Sequence, residues 1–366
     1  IGAGRRMKLD FPRTEPTLMK GNEALAEAAL SAGMDAYFGY PITPQSEVLE
    51  YLMLHGPKRG SVILQAESEV AAINMVYGAA GAGARAMITS SSPGISLMQE
   101  GLSYIAAAQL PCLVVNVQRG GPGLGTIQPA QGDYFQAVKG GGHGDYRLIV
   151  LAPSSVQEMS DFVVEGFRLA EKYRNPVMIL TDGALGQMME TVQLPEQGCL
   201  AKHIPSWATR GKPAERERNI ITSLFIEPER MEQVNLQLQE KYRRAQSEAA
   251  AETIRTDDAE IVLVAFGLTS RICQKVVELA REQGIAAGLI RPITLYPYPS
   301  DVIARIAEKA QRFLVVEMNA GQMVEDVRLA VNGRRPVDFK GRMGGIIPTP
   351  EEILAEVERL MEPVRV

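Results

Sequence analysis

"SVILQAESEVAAINMVYGAAGAGARAMITS", residues 61–90, decides the fold. "SVILQ" is a short apolar run, the composition of a strand. "ESEVAAINMVYGAAGAGA" (67–84) reads as a helix, and "AMITS" (86–90) as a second strand of the fully buried kind. Strand–helix alternation of this kind argues for strands running parallel in one sheet, because a return to the same direction needs a long crossover.

The same rhythm extends outward from about residue 22 to 182. "NEALAEAALSAG" (22–33) is a helix ending at Gly33, a residue favoured just past a helix end. "DAYFGY" (35–40) is a short strand and "PQSEVLEYLMLH" (44–55) a helix. Downstream, "PCLVVNV", "YRLIVLAP" and "PVMILTDG" are strands between helical stretches. The class this predicts is α/β, a doubly wound parallel sheet, over residues 1–195. From 196 to 256 the chain turns polar, and "PERMEQVNLQLQEKYRRAQSEAAAETIR" (228–255) reads as a solvated linker helix. A second, smaller α/β domain is expected over 257–366, built on "AEIVLVAFG", "AAGLIRP" and "RFLVVEMN".

The chain's 366 residues exceed one ordinary core, and 46% hydrophobic with 22% charged residues is a globular composition. A net charge of −5 argues against a nucleic-acid partner. No apolar run approaches the ~20 residues needed to span a bilayer, and no secretory pattern stands at the start. "IGAGRR" ahead of Met7 reads as an expression remnant or an upstream extension, with Met7 as the native start. Cys112, Cys199 and Cys273 form no disulfide framework, which predicts a cytoplasmic setting. They form no iron–sulfur site either, since that needs about four thiolates at short spacings. The scattered His55, His143 and His203 match no metal motif.

In open parallel sheets, ligands bind beyond the carboxyl ends of the strands. Three segments leave strands there with unusual residues. In "GYPITPQSE" (39–47), Pro41 and Pro44 stiffen a turn around Thr43. Glu67 and Glu69 follow "SVILQ", and Arg119 follows "PCLVVNV" and leads into "GGPGLG" (120–125). Each has a structural alternative. Thr43 reads equally as a helix N-cap with Pro44 at the first helical position. Either glutamate suits the positive end of a helix dipole, and Arg119 could tie down its own loop through carbonyls. The glycines at 120, 121, 123 and 125 match neither nucleotide-binding fingerprint. His143, Asp133 and Asp145 have no spacing that compels a role.

"GYPITPQSE", "ESEVAAINMVYGAA" (67–80), "SSPGISLMQEGLSY" (91–104), "LPCLVVNVQRGGPGLG" (110–125), "GGGHGDYRLIVLAP" (140–153) and "NPVMILTDG" (175–183) stand in order along the chain. Together with "LVVEMNAGQMVEDVR" (314–328), this series resembles the α subunit of thiamine-diphosphate-dependent 2-oxoacid:ferredoxin oxidoreductases. The resemblance implies a pyrimidine-binding domain followed by a transketolase C-terminal-like domain. It implies oxidative decarboxylation of a 2-oxoacid to an acyl-CoA, with electrons passed to ferredoxin. Glu69 matches the glutamate that shares a proton with the aminopyrimidine N1′ and so makes the 4′-amino group basic. Thr43 and Arg119 match substrate-side positions, a hydroxyl for the carbonyl and a guanidinium fork for the carboxylate; Pro41 and Thr43 would line the cofactor.

"TDG" at 181–183 lacks the asparagine follow-up of a diphosphate–Mg2+ segment. A β subunit is therefore implied for diphosphate, Mg2+ and the iron–sulfur cluster, with γ or δ subunits as further members and coenzyme A as co-substrate. "SSSPGISLM" (90–98) and "GGPGLG" depart from the 2-oxoglutarate forms, and the connector at 219–243 is more like the branched-chain type, so 2-oxoisovalerate is the expected substrate. The alternatives are 2-oxoglutarate or pyruvate, a nicotinamide-dependent dehydrogenase with "GGPGLG" as cradle, and a non-catalytic scaffold subunit.

Overall fold

The computed structural model describes residues 9–212 and 214–362; the reading of "IGAGRR" and Met7 lies outside them. The first unit runs β1 (Thr17–Lys20), α1 (Gly21–Ser31), β2 (Ala36–Gly39), α2 (Ser46–His55), β3 (Val62–Gln65) and α3 (Glu69–Gly81). It continues with β4 (Ala86–Ser90), α4 (Ser92–Ala107), β5 (Cys112–Gln118), α5 (Tyr134–Lys139), β6 (Ile149–Leu151) and α6 (Val156–Tyr173). β7 (Pro176–Asp182), α7 (Gly183–Gln187) and β8 (Met189–Val192) close it. After α8 (Pro228–Ala245) come β9 (Ala251–Ile254), β10 (Ile261–Val264), α9 (Gly267–Glu282), β11 (Ala287–Pro292) and β12 (Thr294–Tyr296). α10 (Ser300–Ile306), β13 (Arg312–Glu317), α11 (Met323–Val331), β14 (Val337–Gly341) and α12 (Pro350–Met361) follow.

The main sheet has the order β12-β6-β7-β5-β4-β2-β3, parallel except for β12. Every residue of β4, β5 and β7 is buried, as expected for strands covered by helices on both faces. Chain order reverses at β2, whose neighbours are β3 and β4. That topological switch is where such sheets leave a crevice at their carboxyl edge. Phe162 and Phe167 on α6 are 1% exposed, each contributing about 1.5–3 kcal/mol through burial.

The second sheet has the order β14-β13-β10-β11-β9. Its central strands are parallel, and β9 is an antiparallel edge. Local patterning misplaced three things. β9 lies inside the stretch read as linker, yet it pairs with β11. β12 comes from the second half of the chain but pairs antiparallel with β6, extending the first sheet. α8 is not merely solvated, because Val234, Leu238, Lys241, Tyr242 and Ala245 form a buried stripe at helical spacing. Among the described residues, no helix is long and apolar enough to cross a membrane.

Candidate functional site

The site lies at the carboxyl edge of the first sheet, around the β2/β4 switch. After β2 the chain enters the proline turn. Its anchor is the fully buried Gln45, which donates through Nε2 to Tyr40 O (3.1 Å) and accepts from the Thr89 hydroxyl. Gln45, not Thr43, occupies the cap position of α2, which starts at Ser46. The N-cap reading of Thr43 is thereby corrected: Thr43 is exposed in the turn, with its carbonyl rather than its hydroxyl engaged. Pro41 is exposed at the start of the same turn.

Arg119 leaves β5 and reaches across to that turn. One terminal nitrogen donates to Thr43 O at 3.0 Å and the other to Leu124 O at 2.9 Å. The loop-tying alternative is thus realised. It uses two of the guanidinium's five N–H donors, while the buried Nε has no partner among the described residues. Thr43 also borders a cleft of about 480 Å3 shared with Pro44, Glu47, Ile127, Gln128 and Gly183.

Glu69 is the first residue of α3, behind the N-cap Ser68, whose side chain accepts from Ala71 N. Glu67 falls before the cap and is exposed, so the two glutamates do not share the first turn. Glu69 is 5% exposed, and no donor among the described residues reaches its carboxyl. It lies against Gly94 in the first turn of α4. A Cβ there would sit 2.4 Å from Glu69 Oε1 and 2.0 Å from Ser90 Oγ. Glu69 and Arg119 do not touch; α4 links them, since Arg119 N donates to Ser92 Oγ at 3.0 Å.

Three further side chains fix this corner. The Ser92 hydroxyl donates to Asp133 Oδ2 at 2.6 Å, and Asn116 Nδ2 donates to the same oxygen at 2.8 Å. Asn116 Oδ1 in turn accepts from Ser92 N at 3.1 Å. Burial pushes the Asp133 carboxyl above the usual range, against the lowering effect of the Ser92 and Asn116 bonds. Burial likewise raises Asp182, which caps α7, to about 6. Sequence reasoning gave Asp133 no role and passed over Asn116. The available signal was a polar amide inside the apolar run of β5. The Gly120–Gly125 loop opens no helix, since the next one starts at Tyr134, so it is no dinucleotide cradle.

The corner suits a ligand with polar edges. The Ser90 and Ser91 hydroxyls are buried without partners, as is Arg119 Nε, and each such orphan costs about 1–3 kcal/mol unless something bonds it. A buried carboxyl without a donor and two buried hydroxyls without partners offer the polar contacts an aminopyrimidine edge needs, so these residues fit thiamine diphosphate on that side. Among the described residues, no group of three or more His, Cys, Asp or Glu could hold a metal ion.

Comparison with known proteins agrees. Residues 27–257 match the family profile "pyruvate flavodoxin/ferredoxin oxidoreductase, thiamine diphosphate-binding", and residues 259–353 match "pyruvate:ferredoxin oxidoreductase core domain II". The chain is 52% identical, over 94% of its length and 97% of the relative's, to ketoisovalerate oxidoreductase subunit VorB of Methanothermobacter thermautotrophicus. It is 37% identical to 2-oxoglutarate synthase subunit KorA of the same organism, over 93% and 98% of the two lengths. Among solved structures, 2-oxoglutarate:ferredoxin oxidoreductase from Magnetococcus marinus, with 2-oxoglutarate, coenzyme A and succinyl-CoA bound, superposes with a TM-score of 0.84 at 28% identity. The match covers 94% of this chain but 65% of that one. A split-gene transketolase, at TM-score 0.58 and 12% identity, shares the fold over 93% and 97% of the two chains. The buried glutamate, the arginine-locked turn and these likenesses converge on one conclusion: the chain belongs to the 2-oxoacid:ferredoxin oxidoreductase family, as one of its subunits.

Proposed function

We propose that this chain is the α-type, aminopyrimidine-holding subunit of a branched-chain 2-oxoacid:ferredoxin oxidoreductase. The enzyme converts 2-oxoisovalerate and coenzyme A to the acyl-CoA and CO2, delivering two electrons to ferredoxin. The observation that carries this reading is Glu69, a buried carboxyl with no partner among the described residues, set against Gly94 beside the idle Ser90 hydroxyl. The relatives named for ketoisovalerate share 52% and 50% identity with the chain, against 30–40% for the 2-oxoglutarate relatives, which supports the branched-chain substrate.

Thiamine diphosphate, when bound, supplies the heterocycle that stabilises the charge left by CO2 departure. Glu69, 5% exposed, would share a proton between Oε and a ring nitrogen of the bound cofactor, with little water to compete for it. Arg119 has N–H donors left beyond those given to Thr43 O and Leu124 O, and these orient the substrate carboxylate. The Thr43 hydroxyl, with its backbone held from behind, donates to the substrate carbonyl. A β subunit closes the pocket and brings diphosphate, Mg2+ and iron–sulfur binding, with γ or δ subunits completing the assembly. The free thiols of Cys112, Cys199 and Cys273 support a reducing, cytoplasmic setting.

The decisive experiment reconstitutes the complex and compares 2-oxoisovalerate, pyruvate and 2-oxoglutarate, with wild-type chain and Glu69→Gln. Ferredoxin reduction should be fastest with 2-oxoisovalerate and should fall by about 100-fold or more in Glu69→Gln. Undiminished turnover in that variant would leave the chain a scaffold. Preference for 2-oxoglutarate would move the substrate to the other branch.

A further inference from the structure

The second sheet also has a topological switch. β10 lies between β11 and β13, and the chain order reverses across it. The crevice beyond the carboxyl ends of β10 and β13 is where a sheet of this kind takes a ligand. Here it is filled by a side chain of the first unit, Gln131. Its Nε2 donates to Phe266 O at 2.8 Å, just after β10, and its Oε1 accepts from Met318 N at 3.1 Å, just after β13. The Thr269 hydroxyl on α9 lies 3.2 Å from Oε1 and 2.8 Å from Phe266 O, so its one proton is shared between these two acceptors. The backbone is gripped as well: Gln131 N donates to Met318 O at 3.1 Å, and Asn319 Nδ2 donates to Gln131 O at 2.8 Å. Gln131 is 1% exposed. A second contact lies nearby, where a Cβ on Gly345 would come 2.5 Å from Gln128 Cβ.

Gln131 ends the loop that begins with Arg119, and Asp133, two residues on, holds Ser92 and Asn116. We propose that Gln131 acts as an intramolecular ligand of the second unit and is a positioning residue for the substrate loop. Through it, the second unit sets Arg119 without touching the reacting atoms. This rests on the substrate role given to Arg119 above. The loop's other internal ties, Thr126 N to Gly120 O at 2.8 Å and Gly120 N to Gln128 O at 2.9 Å, are local. They shape it but do not anchor its far end.

The test uses Gln131→Met, which keeps the volume and the two backbone bonds but loses the side-chain contacts, and Thr269→Val, which removes one of those from the opposite side. Amide exchange of residues 119–128 in the full chain should accelerate by about 10- to 100-fold in Gln131→Met, the worth of two or three buried hydrogen bonds. In the complex, KM for the 2-oxoacid should rise roughly tenfold while kcat stays within about twofold, because a loosened carboxylate grip weakens ground and transition states alike. Thr269→Val should shift both readouts in the same direction, and Thr269→Ser, which retains the hydroxyl, should behave as wild type. Should Gln131→Met not fold, the Thr269 pair carries the comparison. Wild-type exchange in a folded variant overturns the clamp, and so does faster exchange with unchanged KM. The exchange readout needs no substrate. A complex inactive on every 2-oxoacid would therefore overturn the proposed function while exchange alone still decides the clamp.

Discussion

Gly94→Ala tests the reading of Glu69 without altering any ionisable group. The added Cβ would stand 2.4 Å from Glu69 Oε1 and 2.0 Å from Ser90 Oγ, where ordinary contact begins at 3.4 Å. The carboxyl must therefore retreat by about 1 Å, and a displacement of that size at a reacting group costs on the order of 100-fold in rate. The stability cost is small by comparison. Overpacking costs about 1–3 kcal/mol, and replacing a helical glycine by alanine returns up to about 1 kcal/mol. The variant should thus fold and assemble, lose about 100-fold in ferredoxin reduction, and need more thiamine diphosphate for half-maximal activity. The assay is steady-state turnover of the reconstituted complex across a cofactor titration, with urea unfolding of the chain alongside. Wild-type turnover and cofactor dependence in a folded Gly94→Ala chain would refute the claim that Glu69 works from this position.

Arg119→Lys keeps the charge but cannot hold both the Thr43 and Leu124 carbonyls, so KM for the 2-oxoacid should rise by about 10- to 100-fold; an unchanged KM would confine Arg119 to loop structure. Asp182 offers a pH test. Its carboxyl is raised from 3.8 to about 6, so the folded state binds the extra proton and stability falls as pH rises across that window, by about 3 kcal/mol. Asp182→Asn should then be more stabilising, relative to wild type, at pH 8 than at pH 4; a pH-independent difference in urea midpoints would contradict it. Lys241 runs the other way. Burial lowers it to about 7, so Lys241→Met should gain stability over wild type at pH 7 and progressively less towards pH 10, as thermal unfolding would show.

Glu69 was legible as a candidate because helix starts after parallel strands are readable from local pattern, and because the motif series around it is dense. The partners of Asp133 were not legible. Ser92 opens α4, Asn116 lies inside β5 and Asp133 precedes α5, and nothing in their spacing announces that one carboxylate oxygen serves two of them. Burial also decides which member of a local pair matters. Glu67 and Glu69 look alike in sequence, but the cap at Ser68 leaves one outside the helix and exposed and turns the other inward.

By itself, the sequence determined the α/β class, the rhythm of the first sheet and the rim residues, because hydrophobic periodicity and turn chemistry are local properties of the chain. The tertiary structure alone decided that β12 joins the first sheet, that Arg119 locks the proline turn, and that Gln131 fills the crevice of the second sheet. Those facts rest on hydrogen bonds between groups tens to nearly two hundred residues apart, and only the closed fold brings them within bonding distance.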